Sequence, residues 1–223
     1  MNILIVAPHA DDEVLGCGGI INKFTKSGNQ VYVAIMTNAH IGDPQLFSLE
    51  SIQTVRGEAL KAHNLLGVKE TFFYDFPAPK LDVSPAYQIS NELCKLLFKL
   101  NIEKLYLPHR GDIHNDHFVV FRAGLVAARP INFCPVKSIL TYETLSETEW
   151  APPFGSDVFI PTVFEEINDF LSLKLEAMKC YKSQLKEFPH SRSLESLENL
   201  AKLRGATIGK NYAESSALIR SIK

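Results

Sequence analysis

The 223-residue sequence has no excess of either charge: 23 Lys and Arg stand against 25 Asp and Glu, a formal net charge of −2. Nucleic-acid binders usually carry a basic face, so no nucleic-acid partner is expected. No stretch approaches the roughly 18 apolar residues of a membrane-spanning helix, so no transmembrane segment is expected. The opening run Met1 to Ala7 is apolar but too short for a signal-peptide core, and it runs straight into polar residues. Only four cysteines occur (Cys17, Cys94, Cys134 and Cys180), far apart and without a C-x-x-C pair. In a chain of this size that pattern fits reduced thiols and a cytoplasmic location rather than a disulfide framework. Linkers, low-complexity stretches and internal repeats are lacking too, so one domain over residues 1–223 is the expectation. Hydrophobic residues make up 46% of the chain, which excludes disorder. A chain this long buries roughly 70–75% of its unfolded surface and needs no staple to fold.

The apolar pattern alternates between two periods. Asn2 to Ala7 and Gln30 to Met36 are short, continuously apolar and rich in branched residues, as strands buried on both faces are. Between them, Val14, Leu15, Ile20, Ile21 and Phe24 recur at helical spacing from about Asp12 to Lys26. Strand, helix, strand in that order is a βαβ unit with parallel strands. The pattern continues with a helix from Ser48 to Leu66 closed by Gly67, a strand over Thr71–Tyr74, and a helix from Pro85 to Leu100. A strand at Lys104–Leu107 and a helix from Asn115 to Ala128 follow. This alternation implies an α/β fold, a Rossmann-like three-layer αβα sandwich on a mainly parallel sheet. In the last third, Lys137–Tyr142 and Val158–Ile160 read as strands around a turn at Trp150–Pro153. Phe164, Ile167, Leu171, Leu175, Met178 and Leu185 read as one face of a long helix.

Two segments are dense in metal-competent side chains. Pro8-His9-Ala10-Asp11-Asp12-Glu13 follows the first strand, and His109 to His117 (HRGDIHNDH) follows the Lys104–Leu107 strand. Open parallel sheets bind ligands beyond the carboxyl ends of their strands, where the strand order reverses. Zinc accepts imidazole nitrogen and carboxylate oxygen, and its catalytic sites use three protein ligands with one position left for water. A histidine at a strand end and a carboxylate three residues on, at a helix start, can address one centre, and the helix N-terminus keeps that carboxylate charged. His117 from the second segment would complete the set. A second carboxylate nearby can take a proton and a second histidine can steady an oxyanion. For either segment alone, a helix cap or a solvated loop histidine explains the residues as well; two segments at two strand ends favour a site. Spacing does not tell Asp11 from Asp12.

The sequence also resembles the PIG-L/LmbE family of zinc-dependent N-deacetylases. The family's HPDDE motif stands here as His9-Ala10-Asp11-Asp12-Glu13, and its HPDH motif as His114-Asn115-Asp116-His117, with Ala10 and Asn115 in place of prolines. Further matches are Arg56-Gly57-Glu58-Ala59, Leu65-Leu66-Gly67, Tyr181-Lys182-Ser183-Gln184, Arg204-Gly205 and Tyr212-Ala213-Glu214. The resemblance implies His9, Asp12 and His117 as zinc ligands and Asp11 as general base. It implies His114 as oxyanion stabiliser or acid, and Asp116 as the group that holds a histidine in its working tautomer. Arg56 resembles the family's substrate-contacting arginine; an ion pair on the helix surface is the alternative. The Asp that the family often carries after the third strand is not matched, because that loop reads Phe76-Pro77-Ala78-Pro79 and Asp75 lies ahead of it.

The implied reaction is removal of the N-acetyl group from an N-acetylglucosamine-type amino-sugar or conjugate, with acetate released. A zinc amidase acting on a non-sugar N-acyl substrate is the alternative. Hexamers and other assemblies are known in the family, so the resemblance allows a homo-oligomer without fixing the oligomeric state. A receiver-like phosphoacceptor domain would instead need an Asp after a later strand, where this chain offers histidines that Mg²⁺ disfavours. Gly16, Gly18 and Gly19 follow the helix start rather than precede it, which fits close helix packing better than a nucleotide-binding turn.

Overall fold

Alternate residues of the first strand, β1 (Asn2–Ala7), enter opposite sides of one sheet in the computed structural model, which describes all 223 residues. Ile3, Ile5 and Ala7 join one apolar layer, and Leu4 and Val6 join the other. That two-sided burial is why the run is continuously apolar. Helix α1 (Asp12–Lys26) leads to β2 (Gln30–Asn38) and the single-turn α2 (Ala39–Gly42). Helix α3 (Leu49–Leu66) starts where Ser48 caps the Ser51 amide and stops at Gly67, whose φ of 79° is left-handed. Then come β3 (Glu70–Pro77), α4 (Ala86–Lys99), β4 (Lys104–Pro108), α5 (Asn115–Ala127) and β5 (Ser138–Tyr142). The chain ends with β6 (Val163–Glu166), α6 (Leu171–Cys180), α7 (Leu194–Thr207) and β7 (Ala213–Ser221).

The strand order is β3-β2-β1-β4-β5-β7-β6. The first five strands run parallel, and β7 pairs antiparallel with both β5 and β6. The apolar layer that contains α1, α3 and α6 lies on one face and the layer that contains α4 and α5 on the other, so the αβα sandwich is as expected. The chain leaves β1 for β2 and β3 on one side, then returns to β4 on the other. The reversal point is therefore between β1 and β4. No helix is long and apolar enough to cross a membrane.

Two sequence expectations in the last third fail. Val158–Ile160 forms no strand: Pro161 follows and brings no N–H, and Phe159 packs edge-on against His109 at 5.1 Å between ring centroids. The long helix with its face from Phe164 to Leu185 is instead the strand β6 and the ten-residue α6. Asn168 turns the chain between them, donating to Glu166 Oε1 at 2.8 Å and accepting the Tyr212 amide at 2.9 Å.

The three glycines of α1 do serve close packing. A Cβ on Gly16 would lie 2.3 Å from the Tyr142 ring and 2.7 Å from the Glu143 carbonyl, whereas one on Gly57 in α3 would meet nothing within 4 Å. Gly16→Ala should therefore cost about 1–3 kcal/mol through overpacking, and Gly57→Ala should gain about 0.5–1 kcal/mol from helix propensity. Denaturant unfolding of the two variants against wild type checks the opposite signs.

Candidate active site

Each of the two polar segments begins where its strand stops. After β1, Pro8 to Asp11 turn the chain into α1, whose first residue is Asp12. After β4, residues 109–114 lead into α5, with His114 as the cap. Because β1 and β4 are neighbours, the two turns share one crevice. There His9 Nδ1 lies 3.5 Å from Asp12 Oδ2, and His117 Nε2 lies 3.3 Å from the same oxygen. One donor atom from each of the three residues falls within 4.8 Å of the others. His117 Nε2 is buried and has no hydrogen-bond partner, so its approach to Asp12 is close without being aligned.

The far nitrogens are both committed. His9 Nε2 lies 3.2 Å from Asp116 Oδ2, and His117 Nδ1 lies 2.7 Å from Asp112 Oδ2. Asp116 Oδ1 also accepts the Leu81 amide at 3.1 Å, and Asp112 Oδ1 accepts the Thr148 hydroxyl at 2.6 Å. In the neutral tautomer that donates to its buried carboxylate, each imidazole would turn a lone pair toward Asp12, the arrangement that metal-binding histidines adopt. Two neutral imidazoles and a carboxylate suit zinc, and the orphaned His117 Nε2 is the atom such an ion would satisfy. His9, His114 and Asp116 form a second possible group, but it would need the His9 nitrogen already facing Asp116.

Charge follows the same geometry. Burial opposes a charged His9, but hydrogen bonds to Asp116 and Asp12 outweigh it and push the group up to about 9. His117 is raised too, with Asp12 and Asp112 overcoming burial. Burial would lift Asp12, yet His117 and His9 hold it well below the usual carboxylate range. His114 moves the other way, down to about 4, through burial and then the charge of His9. Its Nδ1 accepts the Asp116 amide at 3.2 Å, so the neutral ring carries its proton on Nε2. Asp11 is buried, and burial followed by the Asp12 charge drives it well above the usual range, with Arg192 pulling back. The Asp11 backbone has φ 129° and ψ −28°, a conformation that costs an L-residue on the order of 1–3 kcal/mol.

A cavity of about 600 Å³ opens over these groups, lined by His9, Asp11, Asp12 and His114 on the strand-end side. Phe47, Ser51, Arg56, Glu147, Gln184 and Arg192 are among the residues of its walls. Arg56 is on that wall but already engaged: its Nη2 donates to the Tyr74 carbonyl at 2.9 Å and to Asp75 Oδ1 at 2.6 Å, with the guanidinium 5.1 Å from the Phe73 ring. Four participants lay outside the sequence reading of the site. Asp112 stands five residues before His117 in the same polar segment, a visible signal. Glu147, pushed up to about 7 by burial, and Arg192 come from irregular connections with no periodic signal. Glu13 was read only as part of a motif, yet its buried carboxylate accepts from the Asp11 amide at 3.2 Å and contacts His63 and the Tyr181 hydroxyl.

The PIG-L family, described as GlcNAc-PI de-N-acetylase, matches residues 4–128. That is more than half of the chain. The chain belongs to the PIG-L family. Among its relatives, the uncharacterized deacetylase YaiS of Escherichia coli is 28% identical over 186 residues, which are 81% of this chain and 90% of the relative. The diacetylchitobiose deacetylase of Thermococcus kodakarensis is 24% identical over 99% of this chain and 84% of its own. Among solved structures, GalB, the 4-carboxy-2-hydroxymuconate hydratase of Pseudomonas putida, superposes with a TM-score of 0.79 at 18% identity, over 100% of this chain and 97% of that one. That likeness shows a shared fold. This PIG-L fold therefore also carries a hydratase, and the site must argue the reaction.

A divalent ion taking His9, Asp12 and His117 must displace protons from the two histidines, because both are raised and His9 titrates at about 9. Zinc binding at pH 7 should release more than one proton per ion, and its apparent affinity should climb until the pH passes about 9. Calorimetry in buffers of different ionisation enthalpy measures the release. Binding with no proton released would place the ion elsewhere.

Proposed function

We propose that this PIG-L protein is a zinc-dependent N-deacetylase that hydrolyses the acetamide of an N-acetylglucosamine-type sugar or conjugate to the free amine and acetate. The observation that carries the reading is the convergence of His9, Asp12 and the fully buried His117, with His9, Asp12, Asp11 and His114 lining the cavity. The substrate class is drawn from the family and from relatives such as the diacetylchitobiose deacetylase. The domain is the whole chain, since the sheet joins β1 near its start to β7 near its end. Four unpaired cysteines suit the reducing cytoplasm.

Bound at these three ligands, zinc would act as a Lewis acid and lower the pKa of a coordinated water to about 7. The chain's own residues do the rest. Asp11 takes a proton from the water as its oxygen bonds to the acetyl carbon. His114 offers Nε2–H to the oxyanion, since its Nδ1 is held by the Asp116 amide. A neutral imidazole is a donor of hydrogen bonds and a poor acid. The proton that the leaving nitrogen needs is therefore the one Asp11 has just accepted, and its return breaks the C–N bond and yields amine and acetate. Asp116 and Asp112 keep the two ligand histidines in the tautomer that binds metal. Arg56 is the candidate for a sugar hydroxyl or an anionic aglycone, once its fork is shared with Asp75.

Acetate release from a panel of N-acetylglucosamine conjugates, with and without chelator, tests the reading. Turnover should need the metal; release from simple N-acyl amino acids alone would replace the sugar reading with the amidase one. Asp11→Ala should keep stoichiometric zinc and lose about 10²–10⁴ in kcat, whereas His9→Ala, Asp12→Ala and His117→Ala should lose the zinc. Metal analysis of the four purified variants separates the roles, and equal loss from Asp11→Ala and Asp12→Ala would mean they are wrongly divided. Arg56→Lys should raise KM more than it lowers kcat, as lost uniform binding does.

A further inference from the structure

Asp11 is gripped from a part of the chain that lies outside the family match at residues 4–128. The connection from Tyr181 to Ser193, between α6 and α7, folds back over the crevice. Its first residue, Tyr181, is fully buried and gives its hydroxyl to Glu13 Oε1. The same oxygen lies 3.0 Å from His63 Nε2, and His63 Nδ1 lies 2.8 Å from the Thr71 hydroxyl. Glu13 Oε2 is thereby aimed at the Asp11 amide, 3.2 Å away. A buried carboxylate with defined partners on one oxygen fixes where its other oxygen points. What it holds is the one residue of the crevice whose backbone is at φ 129°. Near its far end the connection supplies Arg192, whose Nη1 is 3.5 Å from Asp11 Oδ2 and 3.3 Å from Gln184 Oε1. Arg192 is itself tied down, its amide donating to His190 Nδ1 at 3.0 Å and its carbonyl accepting from Lys186 at 3.1 Å.

We propose that Tyr181 and Arg192 are positioning residues for Asp11, Tyr181 fixing its backbone through Glu13 and Arg192 fixing its carboxylate directly. The proposal rests on the reading of Asp11 as the base. Neither residue touches the three candidate zinc ligands in any contact described above. A conformation disfavoured for an aspartate persists only where surrounding groups over-determine it: Glu13 takes the Asp11 amide, the amides of Val14 and Leu15 donate to its carbonyl at 3.0 and 2.9 Å, and Arg192 faces its carboxylate. Losing the Glu13 and Arg192 contacts leaves the base present but loosely aimed, which lowers kcat and spares binding.

Two readouts test this. Amide hydrogen exchange needs no substrate: in Tyr181→Phe, which removes one hydroxyl, protection at the Asp11 amide should fall at least tenfold while the amides of β1 keep theirs. Unchanged protection would overturn the backbone half. For the other half, kcat and KM on N,N′-diacetylchitobiose and zinc content are measured for Tyr181→Phe, Arg192→Gln and Arg192→Lys, each also combined with Asp11→Asn. About a tenfold loss of kcat is expected from Tyr181→Phe and Arg192→Gln, with KM within threefold, zinc unchanged and part of the loss restored by Arg192→Lys. In the Asp11→Asn background the same changes should cost nothing more, because their target is gone. Losses that add in full there, or wild-type kcat in the single variants, would overturn the proposal. Wild-type kcat in Asp11→Asn alone would instead overturn the reading of Asp11 as base, which the exchange measurement does not touch.

Discussion

Five carboxylates are buried around the mouth between β1 and β4, and the local structure is organised by the need to satisfy them. Asp11 and Asp12 are 3% exposed, Asp112 7%, and Glu13 and Asp116 not at all. A carboxylate taken from water without partners is costly enough that it would protonate instead. Here the partners come in sets: His63, Tyr181 and an amide for Glu13, His117 and Thr148 for Asp112, His9 and an amide for Asp116. Asp12 has the His9 amide and two imidazoles that turn unprotonated nitrogens toward it when their other nitrogens serve Asp116 and Asp112. What that arrangement calls for is positive charge at one point, which a divalent ion would supply. The same carboxylates raise His9 and His117 against burial, so that protons on the two rings meet that demand.

The C-terminal third earns its place through the same demand. Lys174 of α6 and Glu214 of β7 form a buried pair at 2.6 Å and enter the hydrogen-bond ladder of α1. Lys174 donates to the Leu15 carbonyl at 2.8 Å, and Glu214 accepts the amides of Gly19 and Ile20 at 2.9 and 2.6 Å. The first turn of α1, which presents Asp12 and Glu13 to the crevice, is thus seated by residues about 160 and 200 positions away in sequence. Gly16, Gly18 and Gly19 give Tyr142, Lys174 and Ile167 the room to come that close.

The parts of this design that were legible in the sequence are those with a local signal. Strands β1, β2, β4 and β5 show as short apolar runs because both of their faces are buried; α3 shows because Ser48 and Gly67 punctuate it. The two polar segments show as sites because they sit at strand ends. Strand β7 does not show, since its buried residues include Glu214, Ser215 and Ser216, and the first two are held by side-chain hydrogen bonds rather than by hydrophobicity. The apolar spacing from Phe164 to Leu185 predicts one long helix, but its first residues pair with β7 as β6 and Tyr181 leaves α6 to reach Glu13. Asp112 was within view but unassigned, since a carboxylate in a loop acquires its meaning from the imidazole it faces. Arg192 reaches Asp11 across 181 positions, and no spacing rule spans such a distance.

A fold that is shared with a hydratase leaves the reaction to be decided by the groups at its strand ends. What the fold supplies in common is a crevice at the strand reversal. Amide cleavage needs a proton delivered to nitrogen, so the group that took it must retain it and still reach the leaving atom. A carboxylate driven upward by burial, as Asp11 is, holds a proton longer than an exposed one. His114, kept neutral by burial and with its Nδ1 accepting the Asp116 amide, is left with an Nε2–H to donate. Burial thus acts twice in the same few residues: it raises the proton affinity of the Asp11 carboxylate, and it keeps the neighbouring imidazole uncharged.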